Sequence, residues 1–185
     1  MDTQHIPVLR DEVVRIAKPQ AGETYIDLTA GFGGHATAIL ASIEKDGDAW
    51  LIDQDSDAID ALTRRFKDHE NVRIIQENFA RLDWQTLPPA DMILLDAGVS
   101  SKQLDDPARG FSFKHDGPLD MRMNSSERVS ACQLVNELSE TELADIIYRY
   151  GEERLSRRIA KAIVAARSEK KISTTANLVD IIHTA

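Results

Sequence analysis

Apolar residues follow two different rhythms along this chain of 185 residues. In the first half they form short unbroken runs separated by helical stretches. Thr24–Leu28 is the first run. A glycine turn, Gly31-Phe32-Gly33-Gly34, follows it, and His35–Ile43 reads as a helix. Ala49–Ile52 is a second strand, closed by the acids Asp53, Asp55 and Asp57. Ala58–Phe66 is helical, with Ile59, Leu62 and Phe66 on one face. Val72–Ile75 is a third strand and Met92–Leu95 a fourth, inside Asp91-Met-Ile-Leu-Leu-Asp96. Runs that are apolar throughout, rather than alternating, predict a parallel sheet covered on both faces. Strand–helix–strand repetition predicts an α/β, doubly wound sheet with right-handed crossovers. Ligands in such sheets sit beyond the carboxyl ends of the strands.

The second half changes character. Residues 98–126 are rich in Gly, Ser, Asp and Pro and read as a long ordered loop. From Val129 the period is helical. Thr141–Tyr150 places Leu143, Ile146, Ile147 and Tyr150 at helical spacing, and Glu153–Ala166 does the same with Leu155, Ile159, Ala162, Ile163 and Ala166. Thr174-Thr175 can cap a last helix over Ala176–Ile182. A helical subdomain therefore follows the fourth strand. No repeat and no low-complexity segment interrupts the pattern.

Composition adds limits. The apolar and charged shares, 42% and 29%, are those of a soluble globular protein. No apolar run approaches the roughly 20 residues of a bilayer span, so no membrane partner is expected. Met1–Arg10 lacks the basic-then-apolar order of a signal peptide. The single cysteine, Cys132, cannot form an intramolecular disulfide and fits a reducing, cytoplasmic compartment, where it reads as a small packed side chain. The net charge of −9 argues against a general nucleic-acid binder, but it is unevenly spread. From Ile147 to Lys171 eight basic residues stand against three acids, a local +5 that leaves −14 for the remainder. Such a split permits contact with phosphates, and a solvated helix face would look similar.

The chemistry concentrates in Asp27-Leu-Thr-Ala-Gly31-Phe-Gly33-Gly34-His35, between the first strand and the first helix. Glycines let the backbone approach a ligand, and the helix start adds unpaired N–H groups with a partial positive charge. Asp53, 20 residues after Gly33, ends the second strand, where an acid can accept both ribose hydroxyls of an adenosine cofactor. The same residues formally fit the dinucleotide pattern, so NAD stays open on this signal, as does a purely tight-turn role for the glycines. His35 alone is weak, because histidines at helix starts are more often surface or capping residues.

The loop after the fourth strand is more specific. Asp96-Ala-Gly-Val-Ser-Ser-Lys-Gln103-Leu-Asp105, Arg109-Gly-Phe-Ser-Phe113 and Asp116-Gly-Pro-Leu-Asp120-Met-Arg-Met123 resemble the bacterial ribosomal RNA small-subunit methyltransferase H family. His5-Ile-Pro-Val-Leu9 and Tyr150-Gly-Glu-Glu-Arg154 extend the resemblance over nearly the whole chain. It implies a Rossmann-like methyltransferase dependent on S-adenosylmethionine (SAM), with residues 1–110 binding the cofactor and 111–185 forming a substrate-recognition loop and helical insert. It implies methylation of the N4 amine of a cytidine in 16S rRNA, on naked RNA or the small ribosomal subunit. By motif match the cofactor contacts are Gly33, Gly34, His35, Asp53, Phe79, Asp96 and Gln103, with Phe79 against the adenine. Asp96 is the first candidate for the acceptor that orients the amine, and Asp120 the second. Arg109, Arg122 and the stretch from Arg154 to Lys161 are candidates for holding RNA. The histidines lack metal-ligand spacing. Ala97 departs from the larger aliphatic residue usual in the family. The family also continues beyond Ala185 with the last sheet strands, so a truncated chain is expected, its fourth strand left as a sheet edge. It would then dimerise, complete its sheet with another chain, or act only as a SAM- or RNA-binding module. An NAD-dependent oxidoreductase has only the glycine loop and Asp53 in its favour.

Overall fold

The computed structural model describes residues 7–185. His5 and Ile6 of the His5–Leu9 segment, and the first six positions of Met1–Arg10, lie outside the described residues. The chain forms two compact units that meet in sequence between Gly98 and Val99.

The first unit is a parallel sheet of four strands: β1 (Thr24–Asp27), β2 (Asp48–Asp53), β3 (Val72–Gln76) and β4 (Met92–Leu94), in the order β3-β2-β1-β4. The helices of this unit are α1 (Arg10–Ala17), α2 (Gly34–Ile43) and α3 (Ser56–Arg65). Alternate residues of a strand face opposite sides, and β1 shows it. Tyr25 joins Leu51, Ile39, Leu40, Ile43, Leu62 and Phe66 in one core. Ile26 and Leu28 join Ile52 in a second core, closed by Trp50, Ile75, Phe79, Leu82 and Leu87. The sheet is therefore parallel and α/β, as the apolar runs predict, and Rossmann-like, as the family resemblance implies.

Cover on both faces, expected for every strand, holds for β1 and β2 and fails at β4. Ile93 is 57% exposed and Leu95 is 51% exposed, and among the described residues β4 pairs with β1 alone. The strand order also sets the crevice. The chain steps outward from β1 to β2 to β3, then crosses back to place β4 on the other side of β1. The switch point lies between β1 and β4, where a doubly wound sheet opens for a ligand.

Helix α1 was not foreseen from the sequence. It has eight residues, none of them buried, and no side-chain cap, and it stops at left-handed Lys18 just before Pro19. Only Val14 and Ala17 reach the core.

The second unit contains α4 (Ser101–Asp105), α5 (Ala131–Glu137), α6 (Glu140–Gly151), α7 (Ser156–Glu169) and α8 (Thr175–Thr184). Leu119, Val135, Leu143, Ala144, Ile159, Ala160, Ile163 and Ile172 form its core. Three helices start with capping boxes, pairing Ser100 with Gln103, Ser130 with Gln133 and Ser139 with Glu142. Thr174 caps α8 as expected, accepting the Asn177 N–H. The long loop is ordered by arginine. Arg122 donates to both Asp120 oxygens at 2.7 and 2.6 Å and to the Glu127 carbonyl at 2.6 Å. Arg109 donates to the carbonyls of Arg122 and Met123. Cys132 is half-buried against this core and donates to the Ile172 carbonyl, in keeping with a packing role.

Candidate functional site

The loop between β1 and α2 brings the strand tips of the first unit together. Gly31 has φ +52° and Gly33 φ +79°. A Cβ at Gly33 would stand 2.8 Å from Phe66 and 3.0 Å from Leu62, so this glycine lets α2 start hard against α3. A Cβ at Gly34 would collide with Pro7. At Gly31 space is free, and the positive φ alone favours glycine.

The Gly31 N–H donates to Asp53 at 2.7 Å, and the Asp55 N–H donates to the other Asp53 oxygen at 2.9 Å. Burial raises the Asp53 carboxyl above its ordinary range, and these amides resist the rise. The Gln54 N–H is a third donor to this carboxylate, and the acceptor capacity left over lets Asp53 take a ligand hydroxyl.

Asp27 ends β1 and is 1% exposed. The Tyr25 hydroxyl donates to it at 2.7 Å and the Thr29 N–H at 3.2 Å. Desolvation pushes its carboxyl up to about 6 against those two bonds, with Asp53 and Asp96 adding a smaller push. Burial, aided by Asp27, pushes the Tyr25 phenol far up. The sequence reading did not select Asp27. The available signal was an acid set inside an otherwise apolar run, between Ile26 and Leu28.

His35 is the second residue of α2 and is buried, not the surface or capping residue typical of helix starts. Neither ring nitrogen has a hydrogen-bond partner among the described residues. Nε2 stands 3.7 Å from the Asp96 carboxylate, beyond hydrogen-bond length. Buried polar atoms seldom stay unpaired, so an orphaned imidazole at a strand-tip crevice fits a site completed by a ligand. Asp96 lies two residues past β4, with an exposed carboxylate and its N–H donating to the Thr29 hydroxyl at 2.7 Å. Phe79 opens a 3-10 turn after β3 and is half-buried against the Ile26–Leu28–Ile52 cluster. The neighbouring Asn78 bonds Gln54 at 2.9 Å, joining the loops after β2 and β3.

Gly33, Gly34, His35, Asp53, Phe79 and Asp96 thus all belong to the carboxyl end of one sheet. Gln103 belongs to the second unit, where it is buried and closes the capping box of α4 with Ser100. Asp120 also lies there, with both oxygens bound by Arg122, which holds its carboxyl below the usual range. Arg154, Arg157, Arg158 and Lys161 are exposed. A surface depression lined by Leu40, Glu44, Lys45, Asp46, His69 and Asn71 lies at the opposite, amino-terminal end of the strands and gathers none of these groups.

The MraW methylase family matches residues 2–185. Ribosomal RNA small subunit methyltransferase H of Geotalea uraniireducens (strain Rf4) is 50% identical over 98% of this chain and 60% of its own length. The protein of the same description from Clostridium botulinum (strain Kyoto / Type A2) is 44% identical over all of this chain and 61% of its own length. Among solved structures, PH0851 aligns over 49% of this chain and 21% of its own, at 23% identity and a TM-score of 0.45. The chain spans about three fifths of the length of these curated relatives. With the family matched from end to end, this chain belongs to the MraW methylase family.

Proposed function

We propose that the first unit binds SAM at the carboxyl ends of β1, β2 and β4, and that the protein methylates the N4 amine of a cytidine in 16S rRNA. The observation that carries this reading is the convergence on one loop of Asp53, the orphaned His35 and Asp96. Gly31, Gly33 and Gly34 would let the backbone approach the cofactor, Asp53 would accept from its ribose, and Phe79 would lie along its adenine. When bound, SAM supplies an electrophilic methyl group on a sulfonium. Asp96 accepts a hydrogen bond from the amine, orients its lone pair for in-line attack, and takes up the proton the nitrogen sheds. Alignment of this kind supplies much of the acceleration when the nucleophile is weak. The target base leaves its stack to reach such a crevice.

The RNA reading is supported by α7. Arg157, Arg158 and Lys161 follow helical spacing on its exposed face, Arg154 stands in the turn just before it, and the first turn holds no acid. Cations at a helix N-terminus oppose the macrodipole, so this arrangement disfavours the helix alone and favours a phosphate chain.

Calorimetric titration with SAM tests the cofactor, with NAD and Asp53→Ala as controls. Micromolar-range SAM binding, lost in the variant and absent for NAD, is expected. Methylation of 16S rRNA then tests the reaction. The exposed edge of β4 favours a second reading, in which another chain or a second copy completes the sheet before turnover occurs. SAM binding without methylation by a folded chain would favour a binding module.

A further inference from the structure

We propose that Thr29 is a positioning residue for Asp96, its hydroxyl continuing the β1–β4 ladder past the point where backbone pairing ends. The inference rests on the reading of this crevice as the SAM site. Pairing between the two strands runs to Asp27 opposite Leu94, and the last rung is the Leu28 N–H on the Leu94 carbonyl at 2.9 Å. Beyond that rung the switch point requires the strands to part. Asp96 lies on the parting side, with no second strand outside β4 among the described residues. Its N–H is held instead by the Thr29 hydroxyl at 2.7 Å, across 67 residues of sequence.

Thr29 is a firm post for this task. Its own N–H donates to buried Asp27, and Asp27 is held in turn by the Tyr25 hydroxyl. A β-branched side chain also has few χ1 choices, so the hydroxyl stays aimed. The chain Tyr25–Asp27–Thr29–Asp96 therefore runs from the sheet core to the crevice mouth and presents the Asp96 carboxylate 3.7 Å from His35. Glycine or alanine at position 29 would make the turn without supplying the acceptor.

The test uses the 185-residue chain with Thr29→Val, which keeps the shape and removes the acceptor, and Thr29→Ser, which restores it. In the ligand-free chain the Asp96 amide should exchange with solvent roughly tenfold faster in T29V and near the wild-type rate in T29S, as loss of about one hydrogen bond implies. SAM affinity should fall by a similar factor in T29V and recover in T29S. In an Asp96→Ala background, T29V should cause no further loss, because the two residues act as one unit. Unchanged Asp96 exchange, or an equal loss of affinity with and without the Asp96 carboxylate, would overturn the proposal. If wild-type chain binds no SAM, the site reading fails, while the exchange comparison still decides whether Thr29 holds Asp96. Should T29V not fold, Thr29→Ala carries the same comparisons.

Discussion

Asp27 stands where water does not reach, at the end of the central strand, and this has a consequence in pH. Its folded-state value of about 6 lies above the roughly 4 of an unfolded aspartate. The stability tied to its neutral form is complete below about pH 4 and is lost as pH rises through about 6, at a cost of about 3 kcal/mol. Asp53, also raised, adds to the same slope. Asp27→Asn should flatten the decline in melting temperature between pH 4 and 7 without abolishing it; an unchanged slope would show that Asp27 ionises freely in the fold. Gly33 is constrained by its neighbours as well as its φ. Gly33→Ala should lower stability by about 1–3 kcal/mol, read from a denaturant midpoint, through left-handed strain and the contact with Phe66. At this scale the sequence exposes Asp53 and Asp96, because each ends an apolar run. It hides Thr29, whose partner lies far away in the chain, and the burial of His35, because neither leaves a local pattern.

Elements were legible where an apolar face was wide. The four strands follow from unbroken apolar runs, α3, α6 and α7 from helical spacing, α2 from its place after the glycine turn and α8 from its threonine cap. Helix α1 has only eight residues and brings only Val14 and Ala17 to the core, so its apolar stripe is short. The starts of α5 and α6 carried a usable signal in Ser130…Gln133 and Ser139…Glu142, the reciprocal capping pattern. The exposed ladder of β4, with Ile93 and Leu95, is a template for another strand. Sedimentation should show mass rising with concentration, and Ile93→Lys should suppress that rise; a clean monomer at every concentration would mean the edge does not recruit. Within the long loop, Arg122→Lys loses the two-point grip on Asp120. Hydrogen exchange should quicken across residues 120–127 in that variant, leaving β1 and β2 unchanged.

At the scale of the molecule the two units can be watched separately. The chain has two tryptophans, Trp50 and Trp84, and both lie in the first unit, while the second unit is almost entirely helix and loop. Tryptophan fluorescence should therefore follow the sheet, and ellipticity at the helix band should be weighted toward the second unit. The two denaturation curves should separate, as expected when compact units unfold on their own. Coincident curves would show one cooperative fold. The uneven charge belongs to this scale too: the basic start of α7 is set in a chain of net −9, so electrostatic attraction to a polyanion is local.

The sheet order has one more consequence, in time. Every described strand, every crossover and the glycine loop precede Val99, so nothing made later is needed to pair β1 with its neighbours. During synthesis the crevice can take shape while the helical unit is still emerging from the ribosome. On the proposed reading of this crevice, SAM would then be an early ligand, stabilising the sheet unit before the helical unit is complete.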